Sequence, residues 1–405
     1  MNRCLTNAKA APPPIHFHSY KDNNFGAILV VYTQSYLLFE IRNSNTSVVQ
    51  AVAHQTTAVH GCCDKMCIVL LSTAHPEYPI IILDNRDEFV VRPTSRPHWW
   101  QAEGSTQSIL SSRDLQRREQ GTWMGVTKSG NIAVLTNYKE NSTAPQPIEG
   151  QRSRGGMVTA WLTAPEEEST NDFVKRLMAG DGVKGVGGFS LLCGKLRKVH
   201  GGEMVNVEPL AIISNRAGSV EDVPRIGGNH NEIHGLSNTC FDDPVEWPKV
   251  KKGKALLADA IEESMTAKWS QEELLSRLFD ILDDDTLPVK KEGESFDEYT
   301  YQLRKSIFIP PFGPSKAKLP SADQIASAKP IATQVNSTHK PLEENANASS
   351  TPAHGVYGTQ RQTVILVNKE GRVIFVERAL WDDTGKPIER GLADKRFEFV
   401  VNGWD

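Results

Sequence analysis

The chain has 405 residues, a formal net charge of -4 and a sequence pI near 6.3. This charge balance provides no polybasic surface, so neither nucleic acid nor an anionic membrane is a favoured partner. No stretch approaches the roughly 18 apolar residues that a membrane-spanning helix needs, so we expect no integral membrane segment. Six cysteines are too few for a disulfide framework in a chain of this length, which favours a reducing compartment.

Residues 1–65 are polar, rich in turn residues and poor in acids. No helical or alternating apolar pattern is sustained there, so we expect a poorly structured leader and no domain. Pro12, Pro13 and Pro14 stand where a secretory signal has its apolar block, and the scarcity of arginine does not fit a mitochondrial presequence. A pro-segment that is removed, or a start codon assigned too far upstream, would explain such a leader.

At Met66 the pattern changes to two apolar runs, 67–71 and 79–83, which are separated by turn-like residues. Such runs predict a β-hairpin of two buried strands. With the turn centred near His75 and Pro76, antiparallel pairing places Cys67 opposite Asp84 and Asn85, next to Arg86 and Asp87. The hairpin itself is thus expected to assemble a polar cluster.

Later segments alternate apolar stretches with turn residues, which is typical of antiparallel strands. Four further segments have the apolar spacing of helices that dock onto a sheet, and Ser270 with Glu273 forms a capping box before the last of them. The predicted strands are 121–126, 131–136, 188–192, 210–214, 362–367 and 373–377, and the predicted helices are 157–162, 172–178, 247–263 and 272–282.

Residues 313–356 contain no aromatic side chain and are dominated by small and polar types. Such a segment cannot bury enough surface to offset its chain entropy, so we expect a disordered surface insertion. Strand-like sequence resumes at Tyr357, which indicates that the insertion interrupts one domain of residues 66–405 rather than linking two.

A chain that starts at Cys67, after removal of an initiator Met66, carries a free α-amine beside its own thiol. With a reference pKa of about 7.7–8.0, part of the amine is unprotonated near neutral pH and can take the thiol proton. Arg86 would favour the thiolate, and Asp87 or Asp84 would accept hydrogen bonds from the amine. These residues together predict a nucleophilic site.

A structural interpretation stays open for each part of this cluster. Cys67 on its own is more often a small buried hydrophobe at the start of a strand. The run from Asn85 to Glu88 can equally be a solvated turn closed by arginine and carboxylate pairs. Because Arg86 and Asp87 are neighbours, both face Cys67 only if the strand ends, bulges or turns there.

Other motifs give weaker signals. The glycines between 182 and 188 suggest a phosphate loop, but no Gly-Lys-Ser/Thr ending and no helix follow them. His60 with Cys62, Cys63 and Cys67 has a spacing that fits no common zinc site. We therefore predict no metal site.

A set of short strings occurs in a fixed order from Met66 to the end of the chain, apart from the insertion, and the ordered set is far more specific than any one string. The strings are Met66-Cys67-Ile68, Asn85-Arg86-Asp87-Glu88-Phe89 with Arg92-Pro93, Gly121-Thr122-Trp123-Met124-Gly125, Leu135-Thr136-Asn137-Tyr138, Ser153-Arg154-Gly155, Gly235-Leu236-Ser237-Asn238 with Trp247-Pro248-Lys249, and Tyr357-Gly358-Thr359 with Arg361. They resemble the signature of the transport and Golgi organization protein 2 family, also called the NRDE family.

This family is similar in turn to the choloylglycine hydrolase and penicillin V acylase branch of the Ntn hydrolases. The resemblance implies an α+β fold with a four-layer αββα sandwich. It implies that Cys67 is the nucleophile with Arg86 and Asp87 as partners, and that Asn137 and Asn238 lie near the oxyanion, although turn formation is an equal explanation for these asparagines. The implied substrate-binding residues are Asn85, Trp123, Tyr138 and Arg361.

The resemblance also implies a role in Golgi organization and protein secretion, in the cytoplasm or in association with the Golgi, with a mitochondrial location as the alternative. Two functions stay open. The first is a cysteine amidohydrolase that cleaves a non-peptide C–N bond of a small molecule. The second is a non-catalytic protein that carries haem or a lipid-derived ligand. No Cys-x-x-Cys-His motif occurs, so haem would associate reversibly and no resident cofactor is expected.

Overall fold

The computed structural model of this chain divides into two units, Met1–Cys62 and Cys63–Asp405, which are treated separately. In the first unit it describes the backbone of four strands. In the second unit it describes residues 66–117, 119–137, 154–179, 183, 188–199, 204–313 and 355–405. Tyr138 and nearly all of the predicted insertion lie outside the described residues.

The first unit contains four consecutive antiparallel strands, where the sequence pattern predicted no regular element. They are β1 (Phe17–Lys21), β2 (Ala27–Thr33), β3 (Tyr36–Asn43) and β4 (Thr46–Ala51), and each pairs with the next. The β-branched and aromatic residues of β2 and β3 favour strands. Polar residues such as Thr33, Gln34 and Ser35 interrupt the apolar stretches of this segment, so its sequence shows no sustained alternation. Whether this segment belongs to the mature protein stays a prediction.

The second unit contains two large sheets and one small strand pair. Its strands are β5 (Ile68–Ser72), β6 (Ile80–Phe89), β7 (His98–Trp100), β8 (Ile109–Ser111), β9 (Met124–Thr127), β10 (Asn131–Asn137), β11 (Phe189–Lys195), β12 (Lys198–Val199), β13 (Asn206–Val207), β14 (Leu210–Ser214), β15 (Arg225–Ile226), β16 (Ile233–Leu236), β17 (Tyr357–Val367), β18 (Arg372–Ala379) and β19 (Lys395–Val400). Sheet I has the order β16-β5-β6-β17-β18-β19, and sheet II has the order β15-β14-β11-β10-β9-β8-β7. Neighbouring strands in both sheets pair antiparallel.

The helices of the second unit coincide with the predicted ones, with two short additions. They are α1 (Gly155–Leu162), α2 (Thr170–Ala179), α3 (Pro248–Ala267), α4 (Gln271–Leu282) and α5 (Phe296–Thr300), with a 3-10 turn at Tyr301–Lys305. The capping box before α4 is confirmed: the Ser270 side chain accepts from the Glu273 backbone N–H, and Glu273 accepts from the Ser270 N–H. Antiparallel sheets with separate helices make this an α+β unit. Among the described helices, none has both the length and the apolarity to cross a bilayer.

Three apolar clusters hold these elements together. One cluster combines side chains of both large sheets, a second joins sheet I to α3 and α4, and a third joins sheet II to α1 and α2. The alternation within β6 explains the arrangement, because Ile80 and Ile82 belong to the first cluster whereas Ile81 and Leu83 belong to the second. Strands buried on both faces have continuous apolar runs, which is the pattern that predicted the hairpin.

Candidate active site

The β5–β6 hairpin brings Cys67 to the polar end of β6. Ile68 pairs with Asn85 and Val69 pairs with Asp84. Cys67 therefore lies at the level of Arg86, whereas the sequence predicted a position opposite Asp84 and Asn85. The register differs because the turn is centred between Pro76 and Glu77, the midpoint of the paired positions, rather than between His75 and Pro76.

The backbone on both sides of Cys67 is held by side chains from distant elements. The Met66 N–H donates to the Tyr357 hydroxyl over 3.0 Å, and the Lys249 ammonium donates to the Met66 carbonyl. The Ser237 hydroxyl donates to the Cys67 carbonyl over 2.6 Å. The Cys67 thiol is buried and lies 4.0 Å from the backbone oxygen of Asp87. These contacts fix where the thiol lies.

The run Asn85–Glu88 belongs to a buried strand, so the solvated-turn interpretation is wrong. The strand β6 continues to Phe89 because β17 pairs with it along its length. That pairing is irregular between Thr359 and Arg361, where β17 contains a bulge at Gln360. The Gln360 amide donates to the backbone oxygens of residues 89, 90 and 92, which anchors the bulge.

Arg86 and Asp87 leave β6 on opposite faces, as neighbours on a regular strand must. The Arg86 guanidinium lies 4.1 Å from the centroid of the Trp123 ring and donates to the Gln360 side-chain oxygen. Asp87 accepts a 2.7 Å hydrogen bond from the Thr359 hydroxyl. The bulge is in the partner strand and not in β6, so it does not turn both side chains towards the thiol.

The electrostatics of the peptide-bonded Cys67 disfavour a thiolate. Burial, followed by the charges of Asp87 and Asp84, raises the pKa of the thiol to about 12, although the Asp87 backbone hydrogen bond and Arg86 act in the opposite direction. The predicted influence of Arg86 is present but is outweighed by burial. A base beside the thiol is therefore required for nucleophilic chemistry.

Both nearby carboxyls have pKa values close to neutrality. Burial, and next the charge of Asp87, raises the pKa of Asp84 to about 8. Burial also raises the pKa of Asp87 to about 7, against the opposing effect of Lys249. One oxygen of each carboxyl is buried without a hydrogen-bond partner among the described residues. These oxygens are available to accept a hydrogen bond or a proton.

Lys249 belongs to the motif Trp247-Pro248-Lys249, which by itself predicts no role for it, and in the structure it is a central residue of this cluster. Its side chain is fully buried, and burial lowers the pKa of its ammonium while Asp87 and Cys67 raise it. It stands at the second position of α3, after Pro248. A cation near a helix N-terminus opposes the helix dipole, so this placement brings no gain to the helix. That unfavourable position was the signal in the sequence.

Asn238 lies beside Cys67 in the described structure. Ser237 donates to Asn238 Oδ1 over 3.3 Å and also to the Cys67 carbonyl. The Asn238 Nδ2 group is buried without a partner among the described residues, so it is a free donor. Thr136 donates to the Ser237 carbonyl over 2.9 Å, which brings the end of β10 next to this segment. Asn137 follows Thr136 and accepts from Arg154.

The predicted substrate-binding residues separate into different environments. Trp123 stacks on Arg86. The Asn85 amide donates to the backbone oxygens of Leu282 and Ile307, on the helix side of sheet I. Arg361 donates to the backbone oxygens of residues 360 and 381 and lies 3.9 Å from Glu377. Substrate binding by these residues and by Tyr138 stays a prediction.

The described residues contain no group of three or more His, Cys, Asp or Glu side chains that could hold a metal ion. The closely spaced residues His60, Cys62 and Cys63 lie outside the described residues.

Comparison with known protein families finds a match over the span that contains the ordered motifs. The sequence model of the family described as Transport and Golgi organisation 2 matches residues 66–382. This span is most of the chain and begins at Met66. The chain belongs to the Transport and Golgi organisation 2 family. The predicted family resemblance is thereby confirmed.

Relatives from distant organisms match over similar spans. The Transport and Golgi organization protein 2 homolog of Homo sapiens is 28% identical over 323 residues, which cover 78% of this chain and 94% of the relative. An uncharacterized protein of Saccharomyces cerevisiae is 28% identical over 357 residues, covering 83% of this chain and 100% of the relative. Among solved structures, a Caenorhabditis elegans N-acylethanolamine-hydrolyzing acid amidase ortholog aligns with a TM-score of 0.33 and 12% identity over 59% of this chain and 98% of that one.

Proposed function

We propose that this member of the Transport and Golgi organisation 2 family is an N-terminal-cysteine amidohydrolase that cleaves a non-peptide C–N bond, once Met66 and the residues before it are removed. The observation that carries this proposal is the register of the β5–β6 hairpin, which sets Cys67 at the level of Arg86 and within the electrostatic reach of the Asp84 and Asp87 carboxyls. The family match also begins at Met66, which supports a mature chain starting at Cys67.

In this mechanism the free α-amine of Cys67 takes the thiol proton, and the thiolate attacks the carbonyl carbon of the substrate amide. The amine proton passes to the departing substrate nitrogen, which leaves a thioester on Cys67. Water then attacks the thioester carbonyl carbon while the α-amine takes its proton, the C–S bond breaks to release the carboxylic acid, and the proton returns from the amine to the Cys67 thiolate. The Asn238 Nδ2 group, which has no partner among the described residues, supports a role as donor to the developing oxyanion.

The three apolar clusters indicate how the layers of the second unit are stacked. A shared apolar cluster between sheets I and II, with α3 and α4 against one and α1 and α2 against the other, supports an Ntn-hydrolase-like αββα sandwich. The human and Drosophila melanogaster relatives are named for transport and Golgi organization, and these names support a role of this chain in Golgi organization. These names give no support to the mitochondrial alternative.

A second candidate is a non-catalytic protein that carries haem or a lipid-derived ligand on the same scaffold. The observation that favours it is the burial of Cys67, which is peptide-bonded to Met66 and whose thiol pKa is raised by that burial to about 12. In that state the α-amine does not exist as a base, and Cys67 is a buried structural residue. The two candidates therefore differ in whether the mature chain begins at Cys67.

Mass spectrometry of the protein from its native cells tests the first step, because the amidohydrolase requires a chain that begins at Cys67. Residues 67–405 and the full chain are then compared for amide cleavage, with Cys67→Ser in the shorter chain as the matched control. We expect turnover only in the shorter chain with Cys67, and a loss of at least about 10³-fold in the serine variant, because an alcohol is a far weaker nucleophile. Equal turnover by the full chain would contradict the mechanism.

A further inference from the structure

Met66 fills an apolar pocket directly beside the candidate nucleophile. Its side chain is buried in a cluster with Phe89, Leu303, Ile309 and Tyr357, and further apolar side chains pack around this cluster. The rings of Phe89 and Tyr357 meet edge to face, with centroids 5.6 Å apart. We call the space occupied by this side chain the Met66 pocket.

The backbone of Met66 is held at the polar end of the same pocket. Its N–H donates to the Tyr357 hydroxyl, and its carbonyl accepts from the Lys249 ammonium. Lys249 is fully buried, and Met66 is the one hydrogen-bond partner that its ammonium has among the described residues. A charge so deeply buried is costly unless it is paired or hydrogen-bonded. The Met66 carbonyl therefore stabilises the buried ammonium by accepting its hydrogen bond.

Removal of Met66, on which the proposed function depends, would leave both ends of the pocket without their occupant. The Lys249 ammonium would lose its acceptor, and the apolar lining would lose the packing of an unbranched side chain. The carbonyl carbon of Met66 is bonded to the Cys67 nitrogen, so the vacated space adjoins the new α-amine. A ligand that restores both the hydrogen bond to Lys249 and the apolar packing would gain binding free energy from each contact.

We propose that, in a chain starting at Cys67, the Met66 pocket binds the acyl end of the ligand, an unbranched aliphatic acyl or carboxylate group. Its carbonyl or carboxylate oxygen takes the place of the Met66 carbonyl at Lys249, and its tail takes the place of the Met66 side chain. From carbonyl carbon to terminal methyl, a methionine is a chain of about six heavy atoms with free rotation, so hexanoate is the matched length.

The lining of the pocket sets an upper limit on the length of the tail. Leu303 and Ile309 have no exposed surface, and the rings of Phe89 and Tyr357 are buried in the same cluster around Met66. Each methylene buried within the pocket is expected to tighten binding about fourfold. Chains longer than the pocket, or branched near the carbonyl, would meet packed side chains and bind less tightly.

The test uses residues 67–405 carrying Cys67→Ser, which prevents turnover, and measures binding of straight-chain carboxylates from butanoate to decanoate by calorimetry. We expect affinity to rise about fourfold per methylene up to hexanoate and to fall beyond it. The full chain is the matched control, because its own Met66 occupies the pocket and hexanoate should not bind. Equal binding to both chains, absent binding or the lack of a length optimum would overturn the proposal.

Two variants of the shorter chain separate the ends of the pocket. Lys249→Met keeps much of the side-chain volume and removes the cation, so hexanoate should bind at least about tenfold more weakly while neutral hexanol is unaffected. Leu303→Phe fills the apolar end and should weaken both probes, with thermal unfolding as the check that it folds. Equal loss of both probes in Lys249→Met would overturn the role of the ammonium.

The two proposals fail in different ways. Amide turnover by residues 67–405 without any preference for acyl length would overturn the pocket assignment and leave the nucleophile in place. Hexanoate binding with the expected length optimum, but without amide turnover in the chain that has Cys67, would support the pocket and contradict the amidohydrolase.

Discussion

At the scale of single residues, the sequence predicted which residues come together, but it did not predict on which face of the strand each side chain lies. Cys67, Arg86 and Asp87 do gather at one end of sheet I, because a hairpin brings its own two strands together. Asn238 joins them because it follows β16, which pairs with the other edge of β5. The partners that hold them came from far along the chain. Lys249 contacts Met66 across a separation of 183 residues, and no local pattern encodes such a contact.

Asn85 has a structural contact that its motif does not reveal. The family resemblance implies that Asn85 binds substrate, which stays a prediction, and in the structure its amide donates to the last carbonyl of α4 and to the Ile307 carbonyl. Its side-chain oxygen Oδ1 is buried without a partner among the described residues. A buried amide with two backbone acceptors stabilises the docking of α4 onto sheet I.

Asp84 provides a residue-scale prediction about pH. Its folded pKa of about 8 lies above the ordinary value of 3.8, so the native state binds more protons than the unfolded state between about pH 4 and pH 8. The free energy of unfolding should therefore fall as the pH rises through this window, by at most about 1.4 kcal/mol per pH unit for one group. Asp84→Asn, which stays neutral, should flatten this slope.

Urea unfolding of both proteins at several pH values measures the difference in slope. Asp280→Asn, at an exposed position of α4, is the matched control and should leave the slope unchanged. If wild type and Asp84→Asn lose stability in parallel between pH 4 and pH 8, the buried carboxyl is not the group that titrates.

At the scale of elements, the position of α3 on sheet I determines where Lys249 lies. A Cβ added at Gly235 in β16 would come within 2.6 Å of a Val250 methyl group and within 3.3 Å of a Leu70 methyl group. The close approach of α3 to β16 and β5 therefore depends on the absence of a side chain at this position. The need for glycine at position 235 follows from the packing of α3 against β16 and β5, and the apolar spacing of α3 does not predict it.

Gly235→Ala should accordingly lower the free energy of unfolding by about 1–3 kcal/mol, the usual cost of overpacking. In residues 67–405 it should also slow amide turnover, because α3 carries Lys249 and would shift. Gly156→Ala in α1 is the matched control, since nothing lies within 4 Å of the added Cβ and alanine favours a helix. Equal effects of the two substitutions on the unfolding midpoint would contradict this account of the α3 contact.

At the scale of the whole molecule, helices and buried strands were predictable because their apolar periodicities are local. The strand order was not predictable in the same way. The strand β17 lies between β6 and β18 in sheet I, although more than half of the chain separates β6 from β17. Short strands such as β7, β15 and β16 have too few residues to show a period.

Residues 63–405 and residues 67–405 differ by the segment that contains Met66, and their stabilities test the role of this residue in the second unit. Loss of a buried methionine side chain costs about 2–5 kcal/mol when the site does not collapse. We therefore expect a lower free energy of unfolding for residues 67–405 in urea. Met66→Ala in residues 63–405, which keeps the carbonyl at Lys249, should fall between the two.

The lower free energy of unfolding of residues 67–405 is compatible with function, because a ligand that binds only the folded chain raises that free energy according to its concentration and affinity. The unfolding midpoint of residues 67–405 should accordingly rise with added hexanoate, whereas that of residues 63–405 should not move. If the two chains unfold at the same urea concentration, the space left by Met66 is filled by rearrangement of its neighbours. The mature chain would then offer no preformed pocket beside Cys67.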